Sequence, residues 1–322
     1  MSKVLVLNVR AALVRLSVAL ALTVAIATPF VAATPAHADT FTKTKYPIVL
    51  AHGLSGFRQL FGVVDYFYQI PSDLQAGGAK VYVTQVSSFA SSEQRGEQLL
   101  QQIEQIVAST GCQKVNLIGH SQGGLDARYV LAMRPDLIAS LTTVGTPHLG
   151  ADLADFLRNN LTSGGFTEVV LDAFGNLLGT VIDLLTGTPE PQDALGALTT
   201  LSSSGAAAFN AKFPAGLAKT RCGTTPTTFN GIPLFSWGGT RALTNVFDPS
   251  DPALGLTSLV YSEDNDGLVG QCSAHFGKVL RDNYAFNHLD EVNQLFGLTD
   301  IFETSPVSVF RAHANRLKNA GL

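Results

Sequence analysis

The sequence has few charged residues and little basic character. Charged residues make up 14% of the 322-residue chain, and Lys and Arg (21) are outnumbered by Asp and Glu (25). Proteins that bind nucleic acid concentrate Lys and Arg on one face, so this balance argues against such a partner. The 46% of hydrophobic residues and the 30 glycines are typical of a compact, loop-rich globule and not of a disordered chain.

Long uncharged apolar runs are also scarce, and the one of membrane length lies at the amino terminus. The apolar segment Leu16–Ala27 follows three basic residues and precedes an "AHA" pattern at Ala36–Ala38. This order is typical of a secretory signal peptide with its cleavage site. A transmembrane anchor is the alternative, but Pro29 interrupts the uncharged run. We therefore expect residues 1–38 to be removed and the mature protein to be secreted and extracellular.

The mature chain, residues 39–322, is predicted to be one catalytic domain. Its length is within the range that α/β folds reach as a single unit. Cleavage removes three basic residues and no acid, which leaves 18 basic and 25 acidic residues and a net charge of −7. This excess of acids leaves room for a bound cation. No second apolar run of membrane length follows, so we expect no transmembrane anchor in the mature chain, and we expect a monomer.

Cysteine is rare, with residues at positions 112, 222 and 272 only. In an exported chain two of them are expected to form a disulfide, and the sequence allows three pairings. Cys112 directly precedes an apolar strand pattern, where a buried free thiol is the ordinary state. We therefore predict the bond Cys222–Cys272, which closes a loop of about 50 residues and contributes ~4 kcal/mol to stability.

The hydrophobic pattern alternates between short strands and helices. Apolar runs at Tyr46–Gly53 and Lys114–Gly124 each end in a glycine-bearing turn, and a third run covers Leu137–Gly145. Ser91–Thr110 has the 3.6-residue period of an amphipathic helix, and a further helix is predicted from Gly124 to Met133. This alternation indicates an α/β fold, with a mostly parallel central sheet and helices on both faces. Ligand chemistry in such sheets gathers at the carboxyl ends of the strands.

Residues 150–215 differ from this pattern, because they include an unusually apolar helical stretch, Phe166–Leu185. Its apolar residues nearly encircle the helix, so one face would stay apolar after packing on the core. One interpretation is a deeply buried core helix. The interpretation that we favour is a lid that exposes apolar surface at a lipid interface, with hinges at Gly164, Gly165 and Gly187.

The segment "GHSQG" (Gly119–Gly123) matches the G-x-S-x-G elbow, in which a serine stands on a tight turn between a strand and a helix. A bare match of this kind also occurs by chance in structural turns. Here an apolar strand precedes it and a helix-compatible segment follows it, as the elbow requires. We therefore predict that Ser121 is a nucleophile.

A serine nucleophile needs donors aimed at the developing oxyanion. The loop "HGLSGF" (His52–Phe57) follows the first predicted strand and could present a backbone N–H. By position, we predict the N–H groups of Leu54 and Gln122 as the oxyanion donors. His52 and His120 are predicted to support the loop and the turn, because each lies before an acid in the wrong order for this fold.

The base should be a histidine that follows the acid, since triads on this architecture run Ser, then Asp or Glu, then His. Four histidines follow the serine, namely His148, His275, His288 and His313. His148 comes too early for an acid to precede it, and His313 lies in a polar helical pattern near the terminus. We predict His288, which lies in a turn-rich loop before a helix. His275, on a connecting segment, is the alternative.

The acid is expected in "SLVYSEDNDGLVG" (Ser258–Gly270), which also contains Glu263. Asp266 precedes a glycine at the end of a strand-like run, where a loop would project its carboxylate. We predict that Asp266 orients the imidazole and stabilises its charged form, and Asp264 is the alternative. Asp290 lies two residues from the predicted base, a spacing that tends to point side chains apart, so it needs another partner.

Seven segments, in order, resemble those of the secreted bacterial triacylglycerol lipases of the Pseudomonas and Burkholderia kind: "YPIVLAHGLSGF", "NLIGHSQGGLDARY", "GTPHLG", "TNVFDPSD", "NDGLVG", "NHLDEVNQLFG" and "HANRLKNAGL". The resemblance covers nearly the whole mature chain. It implies an α/β-hydrolase fold with a mobile helical lid, and ester hydrolysis at oil–water interfaces. The family's functional positions fall on Ser121, Asp266 and His288 for the triad, on Leu54 and Gln122 for the oxyanion donors, and on Cys222–Cys272 for the disulfide.

The resemblance also implies one structural calcium ion. Its ligands, carried over, are the carboxylates of Asp248 and Asp290 and the backbone carbonyls of Gln294 and Leu298. Hard oxygen ligands with two carboxylates suit Ca²⁺ better than zinc. A helix N-cap is the alternative role for Asp290. Calcium at Asp290 would hold the loop that positions His288.

Many members of the family require a membrane-anchored foldase chaperone and leave the cell through the periplasm by the type II route. The resemblance implies both here. The nearest alternative function is a soluble carboxylesterase without preference for interfaces. A non-catalytic lipid-binding protein is a further alternative, and it would predict a broken triad.

Overall fold

The computed structural model describes residues 39–56, 59–60, 64–159, 169–170 and 194–322. The predicted signal peptide and hinge glycines, and nearly all of the stretch Phe166–Leu185, lie outside these residues. Among the described helices, none is long and apolar enough to cross a membrane. The domain boundaries and the lid stay predictions.

The described part of the chain contains nine strands, most of them in one central sheet. They are β1 (Ile48–Ala51), β2 (Gln59–Leu60), β3 (Val64–Asp65), β4 (Val81–Val83), β5 (Val115–His120), β6 (Ile138–Val144), β7 (Thr228–Phe229), β8 (Ile232–Gly239) and β9 (Lys278–Tyr284). One sheet has the order β4-β1-β5-β6-β8, with β7 and β9 both paired to β8. All of its pairings are parallel except β7 with β8. The short strands β2 and β3 form a separate antiparallel pair.

Helices connect these strands. Those of seven or more residues in the described part of the chain are α1 (Ile70–Ala76), α2 (Ser92–Thr110), α3 (Gln122–Met133), α4 (Asp152–Asn159), α5 (Ala194–Leu201), α6 (Ser203–Lys212), α7 (Asp251–Ser258) and α8 (Pro306–Asn319), and Gln294–Gly297 forms one further short helical turn. Helix α2 begins where the Ser91 hydroxyl accepts a hydrogen bond from the Gln94 N–H, and it ends at Gly111, whose φ of 67° suits a glycine cap.

Both faces of the sheet are buried. In β1, Ile48 and Leu50 belong to the apolar cluster that includes residues of α1 and α8, whereas Val49 and Ala51 belong to the cluster that includes residues of α2 and α3. Alternate residues of a strand point to opposite faces, so a strand covered on both sides has to be apolar throughout. The predicted α/β class, with helices on both faces of a mostly parallel sheet, is confirmed.

Two local predictions were wrong. The run that begins at Ser258 was predicted to be strand-like, but helix α7 ends at Ser258 and a turn follows it. The reason is that Val260 and Tyr261 pack against α4 and do not join the sheet. Cys112 is a free thiol but it is half-exposed, since it lies in the turn between α2 and β5. The prediction that His313 lies on a helix is confirmed, and its side chain is buried against Trp237 and hydrogen-bonded to Thr142.

The predicted disulfide is present in the structure. Cys222 is bonded to Cys272, with a sequence separation of 50 residues. Cys272 lies in a short 3₁₀ turn, Gln271–Ala274, that closely follows the loop of Asp266. The bond therefore ties that loop to the segment that precedes β7.

Candidate active site

Ser121 stands on the turn between β5 and α3. Its backbone has φ 54° and ψ −129°, a conformation that non-glycine residues rarely adopt and that the elbow imposes. A Cβ at Gly119 would lie 2.3 Å from the Gly123 carbonyl oxygen, and a Cβ at Gly123 would lie 2.5 Å from the His52 oxygen. Only glycine therefore fits at these two positions of the elbow.

The structure brings Ser121, His288 and Asp266 into one line of hydrogen bonds. The Oγ atom of Ser121 lies 2.9 Å from Nε2 of His288, and the other ring nitrogen, Nδ1, lies 2.7 Å from Oδ2 of Asp266. Both the imidazole and the carboxylate are almost fully buried. A carboxylate at Nδ1 keeps the proton on that nitrogen, which leaves Nε2 able to accept the serine proton.

Backbone donors fix the carboxylate of Asp266. Its Oδ1 accepts from the N–H groups of Leu268 at 2.8 Å and Val269 at 2.7 Å, and its own carbonyl accepts from the His288 N–H at 2.9 Å. The loop after α7 is therefore tied directly to the loop after β9. Asp264, the alternative acid, is exposed.

The remaining histidines have structural contacts. Burial lowers the pKa of His52 to about 3 and lowers the pKa of His120 well below its usual range. Nε2 of His52 accepts from the Val86 N–H, and Nδ1 of His120 lies 2.7 Å from the Tyr66 hydroxyl. Neutral rings in these places support the loop and the turn, as predicted. His275, the alternative base, is paired with Asp282 at 2.8 Å.

A second carboxyl group near the triad, that of Glu291, was missed by the sequence reasoning. Its Oε2 lies 4.0 Å from Nδ1 of His288 and 3.2 Å from Nε2 of His120, close but not aligned as a hydrogen bond with the latter. Its Oε1 accepts from the Gly239 N–H at 2.6 Å. Burial, and next the charge of Asp266, raise the pKa of Glu291 well above its usual value. In the sequence, the position of Glu291 three residues after the predicted base His288 was the one feature that could have indicated this contact.

An apolar cavity of about 100 Å³ opens beside the serine. Helices α4 and α5, which lie in the predicted lid segment, contribute Leu153, Leu157, Leu198 and Leu201 to its wall. Ser121, His288 and Leu54 line it as well. A hydrocarbon chain could fill such a cavity while its polar end lies at the serine.

The two predicted oxyanion donors belong to residues close to the serine. Leu54 is in the loop after β1, and among the described residues its N–H donates no hydrogen bond. Gln122 is the first residue of α3, where a helix leaves its N–H groups without intrahelical acceptors. The Gln122 side chain points elsewhere, since it donates to the Ala90 carbonyl at 2.8 Å.

Three buried carboxylates lie together near the loop of the base. Asn287 links them, because its Nδ2 lies 3.2 Å from Oδ2 of Asp248 and 2.9 Å from Oδ1 of Asp251, and its N–H lies 3.1 Å from Oδ2 of Asp290. Burial, together with the neighbouring charges of Asp248 and Asp251, raises the pKa of Asp290 to about 7. Several acids so close together are costly without a cation, so this donor set fits a hard cation such as Ca²⁺.

The chain that follows Asp290 has an unusual backbone. Asn293, Leu295, Phe296 and Gly297 all have φ between 51° and 76°. Gln294 and Leu298, the two predicted carbonyl ligands, lie at the ends of this left-handed turn. Non-glycine residues held in this region mark a constraint from their surroundings.

Comparisons with known proteins agree with this geometry. The family profile described as alpha/beta hydrolase fold matches residues 46–288. A triacylglycerol lipase of Vibrio cholerae is 51% identical over 90% of this chain and 94% of its own length, and one of Burkholderia plantarii is 45% identical over 90% and 91%. The chain belongs to the α/β-hydrolase family of bacterial triacylglycerol lipases.

Solved structures support the fold of this family member. The crystal structure of a Bacillus licheniformis lipase in its mature form superimposes with a TM-score of 0.60 at 18% identity, over 85% of this chain and 93% of that one. At that identity the likeness shows the α/β-hydrolase fold alone. The family membership depends on the sequence relatives.

Proposed function

We propose that this chain is a secreted lipase that hydrolyses the ester bonds of triacylglycerols at a lipid–water interface. The observation that carries the proposal is the hydrogen-bonded line Ser121–His288–Asp266 at the edge of an apolar cavity. The relatives named triacylglycerol lipase support the substrate class. The serine, imidazole and carboxylate supply the chemistry, and the cavity supplies a place for the acyl chain.

Acylation begins when the Ser121 hydroxyl attacks the ester carbonyl while Nε2 of His288 takes its proton. The Leu54 and Gln122 N–H groups donate to the oxygen that becomes negative, and Asp266 stabilises the imidazolium. Collapse of the tetrahedral intermediate breaks the ester C–O bond, and His288 gives its proton to the leaving alcohol. Water then attacks the acyl-enzyme with His288 again as base, which frees the fatty acid and restores the serine.

The preference for an interface is supported by apolar side chains at the same edge of the sheet as the cavity. The loops after β8 and β9 expose Val246 and Phe302 at 94% and 93%, and Phe247 and Ile301 are also exposed. These loops are joined, since the Asn245 side chain donates to the Thr299 carbonyl at 2.9 Å. Exposed apolar groups in one region are typical of a surface that binds another apolar phase.

We further propose that a calcium ion binds at the buried acids. Asp248 and Asp290 would supply carboxylates, and Gln294 and Leu298 would supply carbonyl oxygens. The ion would offset the repulsion among the acids and hold the loop of His288. Export through the periplasm and the help of a foldase chaperone belong to the same proposal, by likeness to the family.

The catalytic proposal is tested with Ser121→Ala. We expect kcat on a soluble ester to fall by several powers of ten, and labelling by a fluorophosphonate to disappear, because no other group occupies the nucleophile position. His275→Gln is the control, since His275 contacts Asp282 and not the serine. If Ser121→Ala keeps a measurable fraction of wild-type turnover, the nucleophile is a different residue.

A second measurement separates a lipase from a soluble carboxylesterase. The rate on tributyrin is followed below and above its solubility limit. A lipase shows a steep rise once droplets form, whereas an esterase saturates before that point. If the rate saturates below the solubility limit, the protein is an ester hydrolase without a preference for interfaces.

A further inference from the structure

A buried ion pair lies behind the loop that carries Leu54. Arg95, on α2, and Asp126, on α3, are both completely buried, and Nε of the arginine donates to Oδ2 of the aspartate at 2.8 Å. The catalytic steps above use neither residue. A buried pair of this kind seldom adds stability over two well-packed apolar side chains, because both charges lose their hydration. Its contacts therefore need a separate explanation.

The rest of the guanidinium donates to backbone carbonyls of two loops. Nη2 of Arg95 lies 2.7 Å from the His52 oxygen and 3.2 Å from the Gly53 oxygen, and Nη1 lies 2.5 Å from the Ser87 oxygen. The planar fork of an arginine can hold several acceptors at fixed angles, which a lysine cannot. Arg95 thus binds the two peptide groups that directly precede Leu54.

The direction of the Gly53 carbonyl decides the direction of the next N–H. No peptide bond in the described chain is cis, so the carbonyl of Gly53 and the N–H of Leu54 point in opposite directions. Arg95 holds that carbonyl on its own, buried side. The Leu54 N–H is thereby turned to the opposite side, and Leu54 lines the cavity together with Ser121.

Local contacts reinforce this orientation but come from the loop itself. The Gly53 oxygen also receives Nδ1 of His52 at 2.9 Å and the Gly56 N–H at 3.2 Å. The Gly56 donor moves with the loop, and His52 is anchored through Nε2 to the Val86 N–H, so neither donor connects the loop to helix α3. Arg95 belongs to α2 and is bonded to Asp126, four residues after Gln122, so it connects the loop to the helix that begins at the elbow.

We propose that Arg95 is a positioning residue that holds the Leu54 N–H in place for the oxyanion. This inference rests on the proposed function, because it concerns the transition state of the same ester hydrolysis. It assigns the Arg95–Asp126 pair a role in setting the distance between the loop after β1 and helix α3. The hole is then formed before substrate arrives, and the reaction spends no energy on organising it.

The test compares Arg95→Lys with a matched control, Arg128→Lys. Arg128 is also buried, and it donates to Asn210 and Phe213 and not to the loop of Leu54. Each variant is assayed with p-nitrophenyl butyrate at a temperature where it is folded. Loss of one oxyanion donor costs about 10²–10³ in kcat, so a misdirected donor in Arg95→Lys should cost at least about tenfold with KM nearly unchanged. Arg128→Lys should keep wild-type kcat.

A transition-state readout separates positioning from general loss of stability. A boronic acid that forms a tetrahedral adduct with Ser121 places an oxygen where the oxyanion develops. Its affinity for Arg95→Lys should fall by the same factor as kcat/KM. Each of three results would overturn the inference. They are a kcat of Arg95→Lys equal to that of the wild type, an effect of Arg95→Lys on KM alone, and a fall in kcat that is equally large in Arg128→Lys.

A double variant covers the case in which Arg95→Lys does not fold. Arg95→Met with Asp126→Leu removes both charges together, and apolar pairs of this size often replace a buried ion pair without loss of stability. We expect a folded protein with the same fall in kcat, and a folded protein with wild-type kcat would overturn the inference. Absence of ester hydrolysis in the wild type would instead refute the proposed function.

Discussion

At the scale of single residues, the surroundings of two carboxyl groups decide which one serves the base. Asp266 and Glu291 both lie near Nδ1 of His288, at 2.7 and 4.0 Å. Asp266 accepts two backbone N–H groups on its other oxygen, which suits an anion. Glu291 is buried with a raised pKa, which favours its neutral form. Asp266 is therefore the group that stabilises the imidazolium.

The elbow leads to a residue-scale prediction for Gly119→Ala. The new Cβ would lie 2.3 Å from a backbone oxygen, which cannot move without displacing the serine. We expect a loss of about 3 kcal/mol in the free energy of unfolding, measured in urea, and loss of turnover. Gly238→Ala is the control, because its Cβ would meet only ordinary contacts of 3.5 Å or more, so its stability should be unchanged or slightly raised. A Gly119→Ala protein as stable and active as Gly238→Ala would contradict the elbow geometry.

At the scale of elements, the segment after β9 has two roles that point in different directions. His288 faces the serine, whereas Asp290 faces the acids of the segment between β8 and α7. The two roles share one short stretch of backbone, in which the Asn287 side chain accepts from the Leu289 and Asp290 N–H groups. Stability of the acidic site and position of the base are therefore coupled.

This coupling predicts the effect of calcium removal. An excess of chelator should lower the melting temperature and kcat together, because the acids repel one another and the loop of His288 loosens. Asp290→Asn should show the same two losses and little further response to chelator. The control is Asp264→Asn, which alters an exposed acid of a neighbouring loop. If the melting temperature and kcat stay unchanged in excess chelator, the proposal that calcium binds at these acids is wrong.

At the scale of the whole molecule, the catalytic residues lie at one edge of the sheet, whereas apolar clusters cover both of its faces. Helix α8 covers one of these faces and brings His313 into the core. Nδ1 of His313 accepts from Arg316 at 2.8 Å, and Nε2 donates to Thr142 at 2.8 Å. Burial, and next the charge of Arg316, lower the pKa of this histidine to about 3.

The buried His313 predicts a contribution to acid unfolding. The unfolded histidine takes up a proton near pH 6.5, but the folded one does so only near pH 3. The contribution of His313 to the free energy of unfolding is therefore lost as the pH falls from 6.5 towards 3. Below pH 6.5 the free energy of unfolding of the wild type should fall by about 1.4 kcal/mol per pH unit more than that of His313→Gln. The slopes of the free energy of unfolding against pH are compared because a constant loss of stability in the variant does not change its slope. The buried carboxyls are expected to titrate alike in both proteins, so their contribution cancels. Parallel slopes from pH 6 to 4.5 would show that His313 is protonated in the folded state.

The sequence by itself determined the α/β class, the elbow around Ser121 and the order of acid and base, because these depend on patterns within short stretches of chain. The tertiary structure decided which distant groups meet. It placed Asp266 on a loop after a helix and not a strand, put Glu291 beside the base, and connected Arg95 to the loop of Leu54. Ser121 and His288 are 167 residues apart, and contacts at that distance depend on how the faces of the sheet pack, which no local period encodes.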